Sequence, residues 1–172
     1  MAAEEAELFA RLDQLGITSQ TFHHPPAFTV EEAKLLRGRL PGAHCKSLFL
    51  KDRNGQLWLV VCLEDRRVDL KLLEKRVGAG RLSFGKPELL LEVLGVTPGS
   101  VTPFGLINDT GRRVRVVLDR QMLAETPLNY HPLKNDRTTQ IAPADLLRFI
   151  ESCGHAPELV DFDTLAEQVP AP

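Results

Sequence analysis

The sequence lacks the features that mark membrane and secreted proteins. No apolar run approaches the roughly 20 residues that a bilayer-spanning helix needs, so we expect no membrane contact. The N-terminus has neither the basic region nor the apolar stretch of a secretory signal. The three cysteines form no CxxC pair and cannot all join in disulfides. This usage favours a reduced, cytoplasmic compartment in which cysteines serve as small apolar side chains.

The motifs of common catalytic and cofactor sites are also missing. The five histidines show no HxxxH or HExxH spacing, so no metal site is expected. The chain has no GxSxG motif of a serine hydrolase and neither glycine-rich phosphate loop, GxxxxGK[ST] or GxGxxG. No cofactor is therefore predicted, and any chemistry must come from ordinary side chains and the backbone.

The composition is that of a globular domain with one basic stretch. Of the 172 residues, 43% are hydrophobic and 26% charged, which predicts one domain over residues 1–165 and a frayed tail over 166–172. Seven basic and two acidic residues lie between Arg66 and Lys86, although the net charge is −2. Such a stretch favours local phosphate contact over the coating of long nucleic acid such as DNA. A solvated helix face is the simpler alternative.

The hydrophobic pattern predicts short strands interleaved with helices. Helices are predicted over 4–15, 29–37, 69–77, 87–94 and 143–153. Strands are predicted over 20–23, 45–50, 57–63, 81–84, 114–118, 126–130, 138–141 and within 155–162, with a hairpin turn at 52–55. Because regular βαβ alternation is missing, we expect an α+β fold: a single domain with a mixed, mostly antiparallel, barrel-like sheet and flanking helices.

Lys46 is the anomaly in this pattern. In an extended strand Lys46 shares one face with Leu48 and Leu50, because alternate side chains point to opposite sides. An ammonium in line with two leucines either reaches out to water at the end of the strand or points into a site that needs a cation. Strand pattern alone leaves both interpretations open, and a lone lysine is more often solvated.

Two further segments are unusual in composition. The loop from Thr97 to Leu106 holds two prolines and two glycines, and its glycines permit close approach of the backbone to a ligand. Exposed N–H groups in such a loop can hold a carbonyl oxygen or a developing oxyanion. The segment Asn129–Pro132 contains His131, which could bind or orient a substrate near neutral pH. A tight connection and a surface histidine are the ordinary alternatives.

Together these segments resemble the YbaK/ProX superfamily of aminoacyl-tRNA editing domains, and more narrowly its freestanding prolyl-tRNA-synthetase-associated domain proteins (the PrdX or ProXp-ala group). Five blocks in order carry the resemblance over nearly the whole chain. They are His24–Ala33, Lys46–Leu50, Gly99-Ser100-Val101-Thr102-Pro103-Phe104-Gly105-Leu106, Asn129–Asn135, and Ile141–Ile150 with Gly154-His155.

The resemblance implies hydrolysis of alanine wrongly esterified to proline tRNA, without metal or ATP. Lys46 falls on the family's functional lysine, Gly99–Gly105 on its substrate loop, and Asn129 and His131 on its pocket. Arg76 and Arg81 would contact the tRNA acceptor end, and prolyl-tRNA synthetase would be a further partner. The sequence Ser-Val-Thr-Pro-Phe-Gly in the loop favours the alanine type over the related cysteinyl-tRNA type.

This specificity has a physical reason. Alanine is smaller than proline, so a synthetase pocket cannot exclude it by size, whereas a second, smaller pocket can accept alanine and reject proline. We expect water to attack the ester while N–H groups near Gly99–Thr102 hold the carbonyl and Lys46 positions the ester or the terminal nucleotide. The general base would be the substrate's own ribose hydroxyl.

Other functions remain open at this point. The substrate could be cysteinyl-tRNA(Pro) or another small aminoacyl-tRNA. A non-catalytic tRNA-binding module on the same fold would bind tRNA in a salt-sensitive way without cleaving an ester, and would depend more on Arg76 and Arg81 than on Lys46. A domain that docks on a synthetase would instead need a contiguous apolar surface patch.

Overall fold

The computed structural model describes residues 2–26 and 40–168. Within these ranges the α-helices are α1 (Glu5–Gln14), α2 (Leu70–Val77), α3 (Pro87–Leu94) and α4 (Pro143–Ser152). Shorter 3-10 helices cover Pro103–Asn108, Met122–Ala124 and Leu165–Gln168. The helix expected over 29–37 and the tail beyond residue 168 lie outside the described residues. None of the described helices is long and apolar enough to span a bilayer.

Eight strands form one mixed sheet. They are β1 (Gln20–His23), β2 (Ala43–Asp52), β3 (Leu57–Leu63), β4 (Leu82–Phe84), β5 (Val114–Asp119), β6 (Leu128–Tyr130), β7 (Arg137–Ile141) and β8 (Glu158–Val160). The order is β1-β7-β6-β2-β3-β5-β8, and β4 pairs separately with β2. The pairs β1–β7, β2–β3, β2–β4 and β6–β7 are antiparallel. The pairs β2–β6, β3–β5 and β5–β8 are parallel. The predicted α+β class with a mixed sheet is confirmed.

Local sequence signals set the ends of several elements. The side chain of Asp69 accepts hydrogen bonds from the backbone N–H groups of Lys71 and Leu72, and so caps the start of α2. Gly78 ends that helix in the left-handed conformation, with φ of 72°. In the β2–β3 turn, Gly55 has φ of 87° and its N–H donates to the carbonyl of Asp52. These three features were all predictable from residue type and position.

Strand β3 lies at the centre of the sheet and is buried on both faces. Leu59 and Val61 belong to the larger hydrophobic cluster, which also takes in residues of α1, α3 and α4. Trp58 and Val60 belong to a second cluster on the opposite face, with Leu73 of α2. The apolar run of this strand predicted such a central place, and the structure confirms it.

Strand β2 is longer than predicted and changes partner along one side. Its other side pairs with β3 from Cys45 to Lys51. On the changing side, Ala43 and His44 pair with β6, whereas residues from Leu50 to Asp52 pair with β4. In the part of the chain that the structure describes, residues 45–48 therefore have no partner strand on this side. Lys46 lies in this interval.

Candidate active site

The structure places Lys46 in the first half of β2, half-buried. Its face of the strand continues into Leu48 and Leu50, which pack with Trp58 and α2 in the second hydrophobic cluster. The Lys46 ammonium donates a hydrogen bond to the backbone carbonyl of Arg66. The ammonium is therefore held by the protein and does not reach out to water at the end of its strand.

A row of polar side chains continues this face across the neighbouring strands. His44 pairs with Asn129 of β6, and Asn129 pairs with Gln140 of β7, so these side chains point to the same side as Lys46. Gln140 and Asn129 both donate to the carbonyl of Pro41, at 2.9 and 3.1 Å. The amide nitrogen of Asn129 also donates to the carbonyl of Ala43, at 3.0 Å.

These contacts fix the orientation of the Asn129 amide. Both partners of its nitrogen are carbonyl oxygens, which can only accept, so the oxygen Oδ1 must be the other arm of the amide. Asn129 is only 4% exposed, and Oδ1 has no hydrogen-bond partner among the described residues. A buried acceptor without a partner is costly, and a ligand with a donor group could satisfy it.

His131 directly follows β6 and is turned towards a second histidine. Its Nδ1 lies 3.1 Å from the carbonyl oxygen of Arg137, so this nitrogen carries the hydrogen and Nε2 of the neutral ring is an acceptor. Burial lowers the pKa of His131, outweighing the carbonyl contact, and His24 lowers it further. The His24 ring lies 6.4 Å away, and its Nε2 is 2.7 Å from the hydroxyl of Thr138. His131 is therefore a neutral acceptor near pH 7.

The glycine-proline loop reaches the segment that contains His131. Gly99 is exposed and has φ of 91°, and a Cβ placed on it would lie 3.6 Å from the side-chain nitrogen of Asn135. Ser100 is buried, and its N–H donates to the carbonyl of Thr97 at 3.0 Å. The structure thus brings the start of the predicted substrate loop beside Asn135, four residues after His131. The shared pocket stays a prediction.

The second half of this loop is a 3-10 helix instead of an irregular connection. The hydroxyl of Thr102 accepts from the N–H of Phe104 at 3.3 Å, and Pro103 begins the helix with a suitable fixed φ. Gly105 packs so closely on α3 that a Cβ would lie 3.1 Å from atoms of Leu94. The dense proline and glycine content therefore reflects helix start and close packing as well as loop formation.

Phe104 is part of the core. It has no exposed surface, and its ring packs edge-on against Tyr130 and Phe149, at centroid distances of 6.0 and 5.4 Å. Val101 is half-buried against the same cluster. A fully buried ring cannot contact a substrate directly, so the expected binding role of Phe104 becomes a supporting one. Through Tyr130, which lies between Asn129 and His131, Phe104 ties the loop to the pocket residues.

The two arginines expected to contact tRNA differ in their surroundings. Arg76 on α2 donates to Glu158 at 3.0 Å, so part of its charge is compensated within the protein. Arg81 precedes β4 and is exposed. Helix α2 packs on the same face of the sheet that carries Lys46. The basic stretch and the lysine therefore lie on one side of the molecule.

Two cysteines near Lys46 are unsuited to act as nucleophiles. Burial raises the pKa of Cys45 to about 12 and that of Cys62, which pairs with Lys46 across the strands, to about 11. Both thiols stay protonated near neutral pH and are poor nucleophiles. In residues 2–26 and 40–168, no three histidine, cysteine or acidic side chains converge as metal ligands. The expected independence of metal stays a prediction.

Sequence reasoning missed two contacts of this site. Arg66 appeared only as part of the basic stretch, and His24 only as part of a resembling block. Arg66 accepts from Lys46, which is 20 residues away in the chain, and His24 contacts Thr138, which is 114 residues away. No local spacing could have indicated either contact.

Comparison with known proteins decides the family. A family model described as "Aminoacyl-tRNA editing domain" matches residues 24–149. The chain belongs to the aminoacyl-tRNA editing domain family. It is 42% identical over 159 residues to prolyl-tRNA synthetase associated domain-containing protein 1 of Danio rerio, covering 91% of this chain and 86% of that protein. The resemblance noted in the sequence is thereby confirmed.

A second relative and one solved structure are informative. The chain is 34% identical over 156 residues to the prolyl-tRNA editing protein ProX of Acetoanaerobium sticklandii, covering 90% of this chain and 94% of that protein. A solved structure described as a proposed trans-editing enzyme for prolyl tRNA synthetase superposes with a TM-score of 0.71. That structure is 22% identical, with 94% of this chain and 98% of the other covered. It therefore supports the editing-domain fold.

Proposed function

We propose that this protein hydrolyses mischarged alanyl-tRNA(Pro), releasing alanine and free tRNA. The observation that carries the proposal is the half-buried Lys46 ammonium, which lies on one face of the sheet with the unpartnered oxygen of Asn129. A cation and a free acceptor suit a substrate that has phosphate or ester oxygens and an ammonium or hydroxyl donor. An aminoacyl-tRNA end carries all of these groups.

The proposed reaction is ordinary ester hydrolysis. The oxygen of a water molecule forms a bond with the carbonyl carbon, the bond from that carbon to the ribose oxygen breaks, and the ribose oxygen leaves with a proton. Backbone N–H groups of Gly99–Thr102 other than that of Ser100, which donates to Thr97, would hold the carbonyl oxygen as negative charge develops on it. Lys46 would position the ester or the terminal nucleotide. A free ribose hydroxyl of that nucleotide would take a proton from water while it passes its own proton to the leaving ribose oxygen.

The pocket residues would select the amino acid and its position. His131, as a neutral ring, offers Nε2 as an acceptor, which could bind the substrate's amino group or a ribose hydroxyl. Asn129 Oδ1 offers a second acceptor on the Lys46 face. Alanine would enter a small pocket that rejects proline, so that errors of the synthetase are removed by a second sieve. No cofactor or metal is required in this scheme.

We place tRNA on the side of the molecule that carries α2 and Lys46. Arg81 is exposed and available to a phosphate of the acceptor end. Arg76 would contribute less, because Glu158 already compensates part of its charge. We also propose prolyl-tRNA synthetase as a partner. The proposed compartment is the cytoplasm, where tRNA and the synthetase would both be available.

Deacylation assays test this proposal directly. Alanyl-, cysteinyl- and prolyl-tRNA(Pro) would be incubated with the wild type, Lys46→Ala and Lys51→Ala, all in the presence of a chelator. Lys51 is the matched control, because it is an exposed lysine on the same strand. We expect rapid loss of alanine only, abolished in Lys46→Ala and retained in Lys51→Ala.

The other outcomes separate the alternatives. Loss of cysteine in place of alanine would keep the reaction and change the substrate. Binding of tRNA without cleavage of any ester would show a non-catalytic module. Loss of activity on chelation would contradict the metal-free scheme, and full hydrolysis by Lys46→Ala with unchanged binding would remove Lys46 from the mechanism.

A further inference from the structure

The side chain of Arg66 is held by three polar partners from two segments of the chain. Its Nε lies 2.5 Å from Oδ2 of Asp119, Nη1 lies 2.7 Å from Oδ1 of Asp163, and Nη2 lies 3.2 Å from Oε1 of Gln121. The guanidinium also lies 5.8 Å from the centre of the Phe162 ring. Only 15% of the side chain is exposed. A planar guanidinium held at all three nitrogens has almost no rotational freedom.

Asp119 connects this arginine to the centre of the sheet. It is the last residue of β5 and has no exposed surface. Besides Arg66, its Oδ2 accepts from the N–H of Leu63 at the end of β3, and its Oδ1 accepts from the N–H of Gln121, both at 3.1 Å. The N–H of Arg66 donates in turn to the carbonyl of Leu63 at 3.1 Å. Side chain and backbone of Arg66 are thus both fixed against the end of β3.

The fixed position of Arg66 affects Lys46, because the Lys46 ammonium donates to the carbonyl oxygen of Arg66. A lysine side chain is a flexible four-carbon chain, and one fixed acceptor restricts the place of its charge. An ammonium has three hydrogens, and within the described residues one is donated to Arg66, which leaves two for a substrate. We infer that Arg66 is a positioning residue, which holds the Lys46 ammonium in place for the hydrolysis proposed above and does so through its own backbone carbonyl.

This inference rests on the proposed function and gives Arg66 a different role from Arg81. The Arg66 guanidinium is compensated by two carboxylates, Asp119 and Asp163, so it is not a free cation for tRNA phosphate. Loss of its side chain should therefore change the chemical step and not the affinity for tRNA. A loosened lysine costs rate even when it keeps its charge, since displacement of a catalytic group by about 1 Å can lower the rate up to about a hundredfold.

Kinetics on alanyl-tRNA(Pro) would compare the wild type with Arg66→Met, Arg66→Lys, Asp163→Ala and Arg113→Met. We expect kcat of Arg66→Met to fall by about ten- to a hundredfold while KM changes less than about threefold. Asp163 is 59% exposed and only one of several supports, so Asp163→Ala should fold and lose a smaller part of kcat. Arg66→Lys should recover part of the loss. Arg113 is an exposed arginine paired with Glu92, and its replacement should leave kcat unchanged.

A second readout does not depend on the reaction. The ammonium signal of Lys46 in the NMR spectrum of 15N-lysine-labelled protein, assigned by its loss in Lys46→Ala, reports whether the ammonium is held. We expect a slowly exchanging signal in the wild type that broadens or vanishes in Arg66→Met and weakens in Asp163→Ala. If Arg66→Met fails to fold, the Asp163→Ala signal and kcat decide the question.

An unchanged Lys46 signal in these variants would overturn the inference, as would a rise in KM with kcat unchanged. If the wild type hydrolyses no ester, the proposed function fails, whereas the NMR result still shows whether Arg66 holds Lys46. A changed signal with unchanged kcat would show that the contact exists and that it does not serve catalysis, which also overturns the inference.

Discussion

Nδ1 of His131 lies 3.1 Å from the carbonyl oxygen of Arg137, the residue that begins β7. The contact closes the segment between β6 and β7 and fixes the ring beside His24. It also decides which ring nitrogen faces a substrate.

Protonation of His131 should destabilise the protein. Burial holds the pKa of His131 below its ordinary value of 6.5, so the unfolded chain binds more protons than the folded protein below about pH 6.5. Stability should therefore fall as the pH drops from about 6.5 to the lower folded pKa, and then level off. Urea unfolding at several pH values would measure this slope. His131→Asn should remove its contribution, whereas His23→Asn, at an exposed position of β1, should keep it.

Replacement of Phe104 should act on stability before it acts on substrate binding. Phe104→Ala removes a fully buried ring and should cost about 3–5 kcal/mol of unfolding free energy. Phe84→Ala is the matched control, because that ring is 66% exposed and its loss should change stability by less than about 0.5 kcal/mol. Denaturant unfolding measures both. A stable Phe104→Ala protein with a selective loss of alanine hydrolysis would show instead that the ring reaches the substrate.

Gly99 should be sensitive to substitution because of its backbone conformation and not because of crowding. Its φ of 91° disfavours any side chain, while a Cβ there would make only an ordinary contact of 3.6 Å with Asn135. Gly99→Ala should cost about 1–2 kcal/mol or shift the loop, and kcat/KM for alanyl-tRNA(Pro) should fall with it. Gly111→Ala is the control, since its Cβ would make only an ordinary contact of 3.7 Å with Arg113. Equal activity of the two variants would argue against a substrate role for this loop.

Arg81 should contribute to tRNA affinity in a salt-dependent way. Loss of one phosphate contact should reduce the slope of log K against log salt by about 0.7 to 1. Filter binding of uncharged tRNA(Pro) at several salt concentrations would compare Arg81→Ala with Arg76→Ala. The change for Arg76 should be smaller, because Glu158 already compensates it. Arg148→Ala, in α4 and paired with Asp145, provides a basic residue outside the proposed surface. Identical slopes for all three would place the tRNA elsewhere.

Much of the fold follows from local sequence, because the signals involved are local. The double-sided burial of β3, the Asp69 cap and the Gly55 turn all depend on residues within one element. The parallel pairing of β3 with β5 and of β2 with β6 was not predicted, since it joins segments that are far apart in the chain. The 3-10 helix over Pro103–Asn108 was missed for another reason: its proline and its glycine also suit a loop.

The candidate site also contains residues that could be predicted from the sequence and residues that could not. Lys46 was recognisable because an ammonium interrupts an apolar strand face, and Asn129 and His131 because they lie in a resembling block. The network around Arg66 was not recognisable, because Asp119 and Asp163 are 53 and 97 residues away. Side chains that support a functional group through long-range contacts leave no periodic trace in a sequence.

The change of partner along β2 has a consequence for ligand binding and for aggregation. Where β6 ends and β4 has not begun, residues 45–48 have no partner strand on one side, within the described part of the chain. Unpaired strand edges normally invite another chain to add a strand, but four residues flanked by β6 and β4 are too short an opening for that. Main-chain groups beside Lys46 that the missing partner strand leaves open would serve a small ligand without inviting aggregation, and a side-chain substitution would not remove them.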